Sequence, residues 1–161
     1  MSLLPIAQAW SLLSPEASPH LDRARMKQQA RTFFEAELEA VFVGGDDSAL
    51  VDVRMKGGAA TTRVRVLTAA IDDAPDVRAA ADAGVIAIGG AGFDALVART
   101  KRVFQVVAAP IEGPDARAPL LVAAVIASLL LAPIVPPGGG TIFGVKGARE
   151  RLNSLVAQGV A

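Results

Sequence analysis

Three hydrophobic patterns divide the chain. Between Met26 and Leu38 apolar side chains recur every four residues, at Met26, Ala30, Phe34 and Leu38, while Arg23, Lys27, Arg31, Glu35 and Glu39 occupy other positions. A 3.6-residue repeat gathers such positions on one stripe, so the spacing predicts an amphipathic helix over roughly 19–40, with Ser18-Pro19 as N-cap and first helical residue. From Val51 the period drops to two. Val51, Val53 and Met55 alternate with Asp52, Arg54 and Lys56, and Val64 and Val66 alternate with Arg63 and Arg65. Alternation puts apolar groups on one face of a strand, so these segments predict an antiparallel hairpin closed by the GGAATT loop at 57–62. Val41–Val43 and the turn Gly44-Gly45-Asp46-Asp47 lead into it.

The third pattern has no period. From Ala118 to Val145 the chain runs 28 residues without a charged side chain. Pro119 is acceptable at a first helical position and Pro133 stops a helix, leaving about fourteen helical residues, short of the about 20 that span a bilayer. Leu120, Val122, Ala124, Ile126 and Leu130 fall on all sides of such a helix. It must be covered all round, by its own domain or by a neighbouring subunit.

The remaining segments complete the expected order. Residues 3–13 read as a short apolar helix ended by Ser14-Pro15. Asp72-Asp73-Ala74-Pro75-Asp76 supplies a cap candidate and a proline for an Ala-rich helix of about 75–83 that ends at Gly84. Val85–Ile88 reads as a buried strand, Phe93–Thr100 as a helix closed by Lys101-Arg102, Val103–Ala109 as a second buried strand, and 146–158 as a C-terminal helix. Strand, glycine turn, helix and strand in that order imply a βαβ unit with parallel strands. The expected fold is therefore α/β or α+β. It is a single compact domain over 1–161 with an antiparallel hairpin, a βαβ unit, N- and C-terminal helices and one fully apolar buried helix near 118–132.

Composition narrows the chemistry. Hydrophobic residues make up 52% and aromatics only 4%, so the core is aliphatic. Sixteen basic residues balance sixteen acidic ones, which gives no net field toward nucleic acid or an anionic membrane. A near-neutral, apolar chain of this kind is expected to self-associate as a homo-oligomer. The absence of cysteine excludes disulfides, thiolate metal sites and a cysteine nucleophile. His20 is the only histidine, so no histidine metal cluster is expected. The N-terminus lacks a basic region and contains Pro5, unlike a secretory signal, so a cytoplasmic protein is expected.

Two glycine-rich segments carry the candidate binding chemistry. In VIAIGGAGFDALVA, 85–98, Gly90, Gly92 and Ala95 satisfy G-x-G-x-x-A, with Gly89 preceding them. Over about 25 residues this resembles the dinucleotide-binding fingerprint of Rossmann proteins, and that resemblance implies a pyrophosphate held by backbone amides at a helix start. The acidic residue that follows in that fingerprint has its nearest counterpart in Glu112. In PPGGGTIFGVKGARERL, 136–152, Gly139 and Gly140 precede Lys146 and Arg149. Val145 separates Gly144 from Lys146 and Gly147 stands where a hydroxyl is needed, so this is not a P-loop but a looser anion site. The expected ligand-binding residues are Gly89, Gly90, Gly92, Gly139, Gly140, Lys146 and Arg149. No cofactor is firmly implied; a nucleotide or dinucleotide is the class these loops would take.

Other groupings point to structure. Arg54, Lys56, Arg63 and Arg65 share the polar face of the hairpin, but Asp46, Asp47 and Asp52 lie near and no aromatic residue could stack a base there. The carboxylates Asp46/Asp47, Asp72/Asp73 and Glu112/Asp115 are not pairs converging across a pocket, and no catalytic residue is assigned. Trp10 reads as a packing anchor. The functional expectation is a self-associating binding or assembly protein that holds a small anionic ligand. The alternatives are an enzyme or enzyme subunit acting on a nucleotide or phosphorylated substrate, and a membrane-associated accessory protein.

Overall fold

The computed structural model describes residues 3–18, 21–44, 48–56, 61–108 and 115–157. In chain order the elements are β1 (Trp10–Ser14), α1 (Arg23–Phe34), β2 (Glu37–Val43), β3 (Ala49–Arg54), β4 (Thr62–Ala70), α2 (Pro75–Ala87), α3 (Phe93–Ala98), β5 (Arg102–Ala108), α4 (Ala118–Leu130), β6 (Ile134–Val135) and α5 (Val145–Ala157). The strands form one six-stranded sheet in the order β2-β3-β4-β5-β1-β6, and every neighbouring pair is antiparallel. The class is α+β.

One face of the sheet carries α4, flanked by α1 and α5. Eleven of the thirteen residues of α4 are buried, packed with Val51, Val53, Val64, Val66, Phe104 and Val106 of the sheet, Met26 and Ala30 of α1, and Leu152 of α5. The helix that is apolar on all sides is thus coated by its own chain, and it ends at Leu130, where Leu131 turns left-handed (φ 55°) two residues ahead of Pro133. On the opposite face α2 and α3 cover only the β5-β1-β6 half, through Leu13, Val135, Ala81, Val97 and Ile142 and through Val103 with Ile71, Ala74 and Val77. Among the described residues the β2-β3-β4 half carries no helix. It presents Phe42, 55% exposed, beside Leu50, Arg65 and Leu67.

The hairpin expected from alternation is β3 and β4, paired Val51 to Val64 and Asp52 to Arg63. Its turn residues 57–60, like 45–47, lie outside the described residues.

Four expectations need correction. Residues 3–13 are not a helix: a short 3-10 turn, Ile6–Gln8, precedes β1. β1 sits between β5 and β6 with Leu12 turned to α4 and Leu13 to α2 and α3. A strand covered on both faces is apolar at consecutive positions, and that run has no period to separate it from a helix.

The long helix is shorter at both ends. Asp22 caps α1 by accepting the Arg25 N–H at 3.1 Å, while Pro19 and His20 lie outside the described residues. At the other end Glu35 turns left-handed, φ 52°, and its N–H and that of Ala36 both donate to the Ala30 carbonyl. Leu38 and Val41 belong to β2. A bulge between Leu38 and Ala40 shifts the register, so residues three apart face the same side and imitate helical spacing.

Val85–Ile88 is not a strand, and there is no βαβ unit. Val85–Ala87 is the last turn of α2, which runs through Gly84 without ending there. Gly84 is needed because a Cβ at this position would meet the Thr141 carbonyl oxygen at 2.6 Å. The segment after β6 therefore crosses α2 at backbone contact. β5, in turn, pairs with β4 and β1 in antiparallel sense.

Finally, Asp72 and Asp73 form a 3-10 turn, and Ala74 takes the N-cap of α2 without a side-chain hydrogen bond; Pro75 opens the helix as expected.

Candidate functional site

The first glycine segment joins two helices. Gly89, Gly90, Ala91 and Gly92 have φ of 77°, 86°, 49° and 85°, a run of left-handed residues that glycine permits and other residues resist. The amides of this turn are committed internally: Gly89 donates to Ile86, Gly90 to Val85, Ala91 to Gly89, and Phe93 to Gly90. With those donors used and a helix in place of the strand before it, the segment lacks the open amide cradle that the fingerprint implies.

The second segment is tied to its surroundings. Gly138 donates to Ile6 and Gly139 to Pro136, while Ile134 and Phe143 bond to each other in both directions. The two glycine segments meet through apolar side chains, Ile142 with Val85, Ile88, Phe93 and Val97, while a Cβ on Gly89, Gly90 or Gly92 would have nothing within 4 Å. Gly139 lies instead against Ala80. Lys146 and Arg149 are both exposed on α5. Arg149 lines a groove with Phe33, Phe34 and Glu35. The seven expected residues are not brought to one place.

That groove brings charged and apolar side chains together. It consists of two adjoining hollows of about 230 Å³ and about 410 Å³ that share Phe34, Glu35, Leu152 and Asn153. The end of α1, the exit of β3 at Met55-Lys56, Arg117 before α4, and Arg149 with Leu152 on α5 supply its walls. Phe34, Met55 and Leu152 are apolar, and Lys56, Arg117 and Arg149 are cationic. Met55 and Lys56 are consecutive in the hairpin and Phe33, Phe34 and Glu35 close one helix. Arg117 and Arg149 come from the far end of the chain, and no local spacing in the sequence announces this meeting.

The charges are fixed by neighbours. Arg117 grips Asp115 with Nε and Nη2, at 3.0 and 2.8 Å, and its backbone N–H adds a third bond at 3.0 Å. Their side chains are 6% and 12% exposed. Burial pushes the Asp115 carboxyl up, but the hydrogen bonds and charge of Arg117 outweigh it and hold the group below the usual carboxylate range. The hydrogen bond to Asp115 raises the Arg117 guanidinium further against its own desolvation. Asp115 is anchored in turn by its N–H to the Thr62 hydroxyl, 3.1 Å. At the mouth, Lys56 Nζ donates to Glu35 at 2.6 Å, and that bond and charge lower the Glu35 carboxyl. Each resolved shift moves a group away from neutrality, so these residues act as permanent charges and not as proton carriers.

The hairpin cations are mostly paired. Arg63 forks onto Asp52 at 2.8 and 3.1 Å, and Arg54 lies 4.0 Å from Glu39. Trp10 is a packing residue, edge-on to Phe143 at 6.3 Å, and Arg151 covers the same ring at 3.7 Å. Among the described residues no group of three or more acidic or histidine side chains could hold a metal ion, and no helix is long and apolar enough to cross a membrane. Glu112 lies outside the described residues. No family model, curated protein or solved structure matches this chain.

Proposed function

We propose that this chain is a binding protein for a small amphipathic anion, held in the groove between α1, α5 and the exit of β3. One observation carries the reading: an apolar floor of Phe34, Met55 and Leu152 is ringed by Lys56, paired with Glu35, by Arg117, paired with Asp115, and by Arg149, with Glu35 the one lining carboxylate among the described residues. Pockets that bind small molecules combine an apolar lining with a few placed polar groups, and this groove has that composition. Arg117 is positioned by Asp115, so it needs no reorganisation to meet an anion. Lys56 and Arg149 stand at the rim, where they attract and orient. A ligand of this class has a carboxylate or phosphate head and an aliphatic or aromatic body. A phosphorylated metabolite or nucleotide fits the head requirement and belongs in the same screen. A cytoplasmic setting is part of the proposal, and the cysteine-free composition is compatible with it.

Thermal shift with aliphatic and aromatic carboxylates, sugar phosphates and nucleotides tests this. A ligand at about one hundred times its dissociation constant adds about 2.7 kcal/mol of stability. The double substitution Lys56→Met, Arg149→Met should abolish the shift while leaving the unliganded melting temperature nearly unchanged, because both side chains are exposed. An undiminished shift in the double variant, or no shift with any of the panel, removes the proposal.

A further inference from the structure

The two ends of the sheet are unlike. β6 is two residues long and is bonded on its outer side to Phe143. β2 is seven residues long, and among the described residues no strand lies beyond it. Natural edge strands are blunted by charge, bulges or proline, since an open edge recruits another strand. In β2 that protection covers one half only. Glu37, Glu39 and the bulge guard its start, while Ala40-Val41-Phe42-Val43-Gly44 has neither charge nor proline.

The ladder determines which groups point outward. Gly44 donates to the Ser48 carbonyl at 2.7 Å, and the same register pairs Val43 with Ala49, Phe42 with Leu50 and Val41 with Val51. Hydrogen-bonded and non-hydrogen-bonded pairs alternate along an antiparallel ladder. Phe42 therefore spends its backbone groups on β3, and Val41 and Val43 aim theirs at the open edge.

From this we infer that a second copy of the chain docks on β2, antiparallel and about a two-fold axis through Phe42. This goes beyond the groove and does not depend on it. An added strand bonds only where both partners point outward, so Val41 pairs with Val43 of the partner subunit and Val43 with the partner's Val41. Phe42 then stands opposite the partner's Phe42 in a non-hydrogen-bonded pair, the arrangement in which side chains approach most closely. Its 55% exposure ends in an aromatic contact. Antiparallel pairing keeps the faces aligned, so the two halves of sheet that lack a helix become one continuous surface. Glu37 and Glu39 lie beyond the paired stretch.

The test uses the whole chain. Sedimentation velocity of the unaltered protein at tens of micromolar should give a dimer. Phe42→Glu sets two carboxylates against each other and should yield a monomer with an unchanged circular dichroism spectrum. Val43→Pro removes one outward N–H without taking a donor from the β2–β3 ladder, and should also yield a monomer. The chain has no cysteine, so Phe42→Cys carries a single thiol. A non-hydrogen-bonded pair separates its Cα atoms by about 4.5 Å, within disulfide reach, and mild oxidation should convert this variant to a covalent dimer. A monomeric unaltered protein, an oligomer that keeps its size in both Phe42→Glu and Val43→Pro, or a Phe42→Cys variant that does not cross-link would each overturn the proposal.

Discussion

The two faces of the sheet are closed by different means. On one, α4 brings an uncharged surface that needs only to be surrounded, and α1, α5 and the sheet surround it. On the other, α2 is Ala-rich, with Val77, Ala81 and Gly84 as its buried residues, and has little apolar area to offer. Closure there depends on particular atoms. Gly84 lets the Thr141 carbonyl lie against the helix, and the buried side-chain amide of Gln105 accepts the Leu4 N–H at 2.7 Å and donates to the Leu4 carbonyl at 2.9 Å. Where apolar area is abundant, closure is spread over many buried side chains; where it is scarce, a few close contacts carry it.

The contrast can be broken at several points. The largest loss belongs to the polar support of the α4 face. Arg117→Met strands the Asp115 carboxylate in a buried position, and equilibrium denaturation should show a loss of about 3–5 kcal/mol. The same pair makes stability depend on acid. The Asp115 carboxyl is held below its usual range in the folded chain, so its contribution is complete above the ordinary carboxylate pKa and disappears as pH falls through the depressed value. Asp115→Asn should flatten that acid limb, and a limb unchanged in steepness would show that other carboxylates set it. Leu121→Ala, in the first turn of α4 and fully buried, should cost about 2–5 kcal/mol.

The opposite face gives the sharper tests. In a free helix Gly84→Ala would gain about 1 kcal/mol of propensity, but overpacking costs about 1–3 kcal/mol. A net destabilisation is expected, and a more stable variant would mean that the 141–142 segment yields easily. Gln105→Leu keeps the volume and removes both bonds to Leu4. A loss of about 1 kcal/mol is expected, and amide exchange should quicken at residues 3–8 while α4 stays protected. Equal loosening of α4 would show that the two faces unfold as one unit.

How far the sequence discloses this architecture follows from the same contrast. α4 is legible because its apolar run is bracketed by Pro119 and Pro133, and the β3–β4 hairpin because one of its faces is wet along most of its length. β1 is not legible, since both its faces are covered. Val85–Ile88 is misleading because a β-branched run happens to finish a helix. Leu38 and Val41 mislead because a bulge counterfeits helical spacing. The groove was visible only through Arg149. Its other cations, Lys56 and Arg117, are joined to it by the sheet and by α4, which no short-range pattern encodes. The glycine turns drew attention by composition, yet their glycines serve backbone curvature and close approach.

The position of β1 has a consequence for the order of events during synthesis. Trp10–Ser14 emerges first, but its partners are residues 102–108 and 134–135. Until most of the chain has been made, this apolar strand has no neighbour to pair with, and Leu4 must wait for Gln105, 101 positions downstream. Contacts so distant in sequence slow folding and leave strand edges exposed in the interim. β2, β3 and β4 can pair as a meander long before that, whereas β1 can join only once β5 exists, and β6 only beside β1.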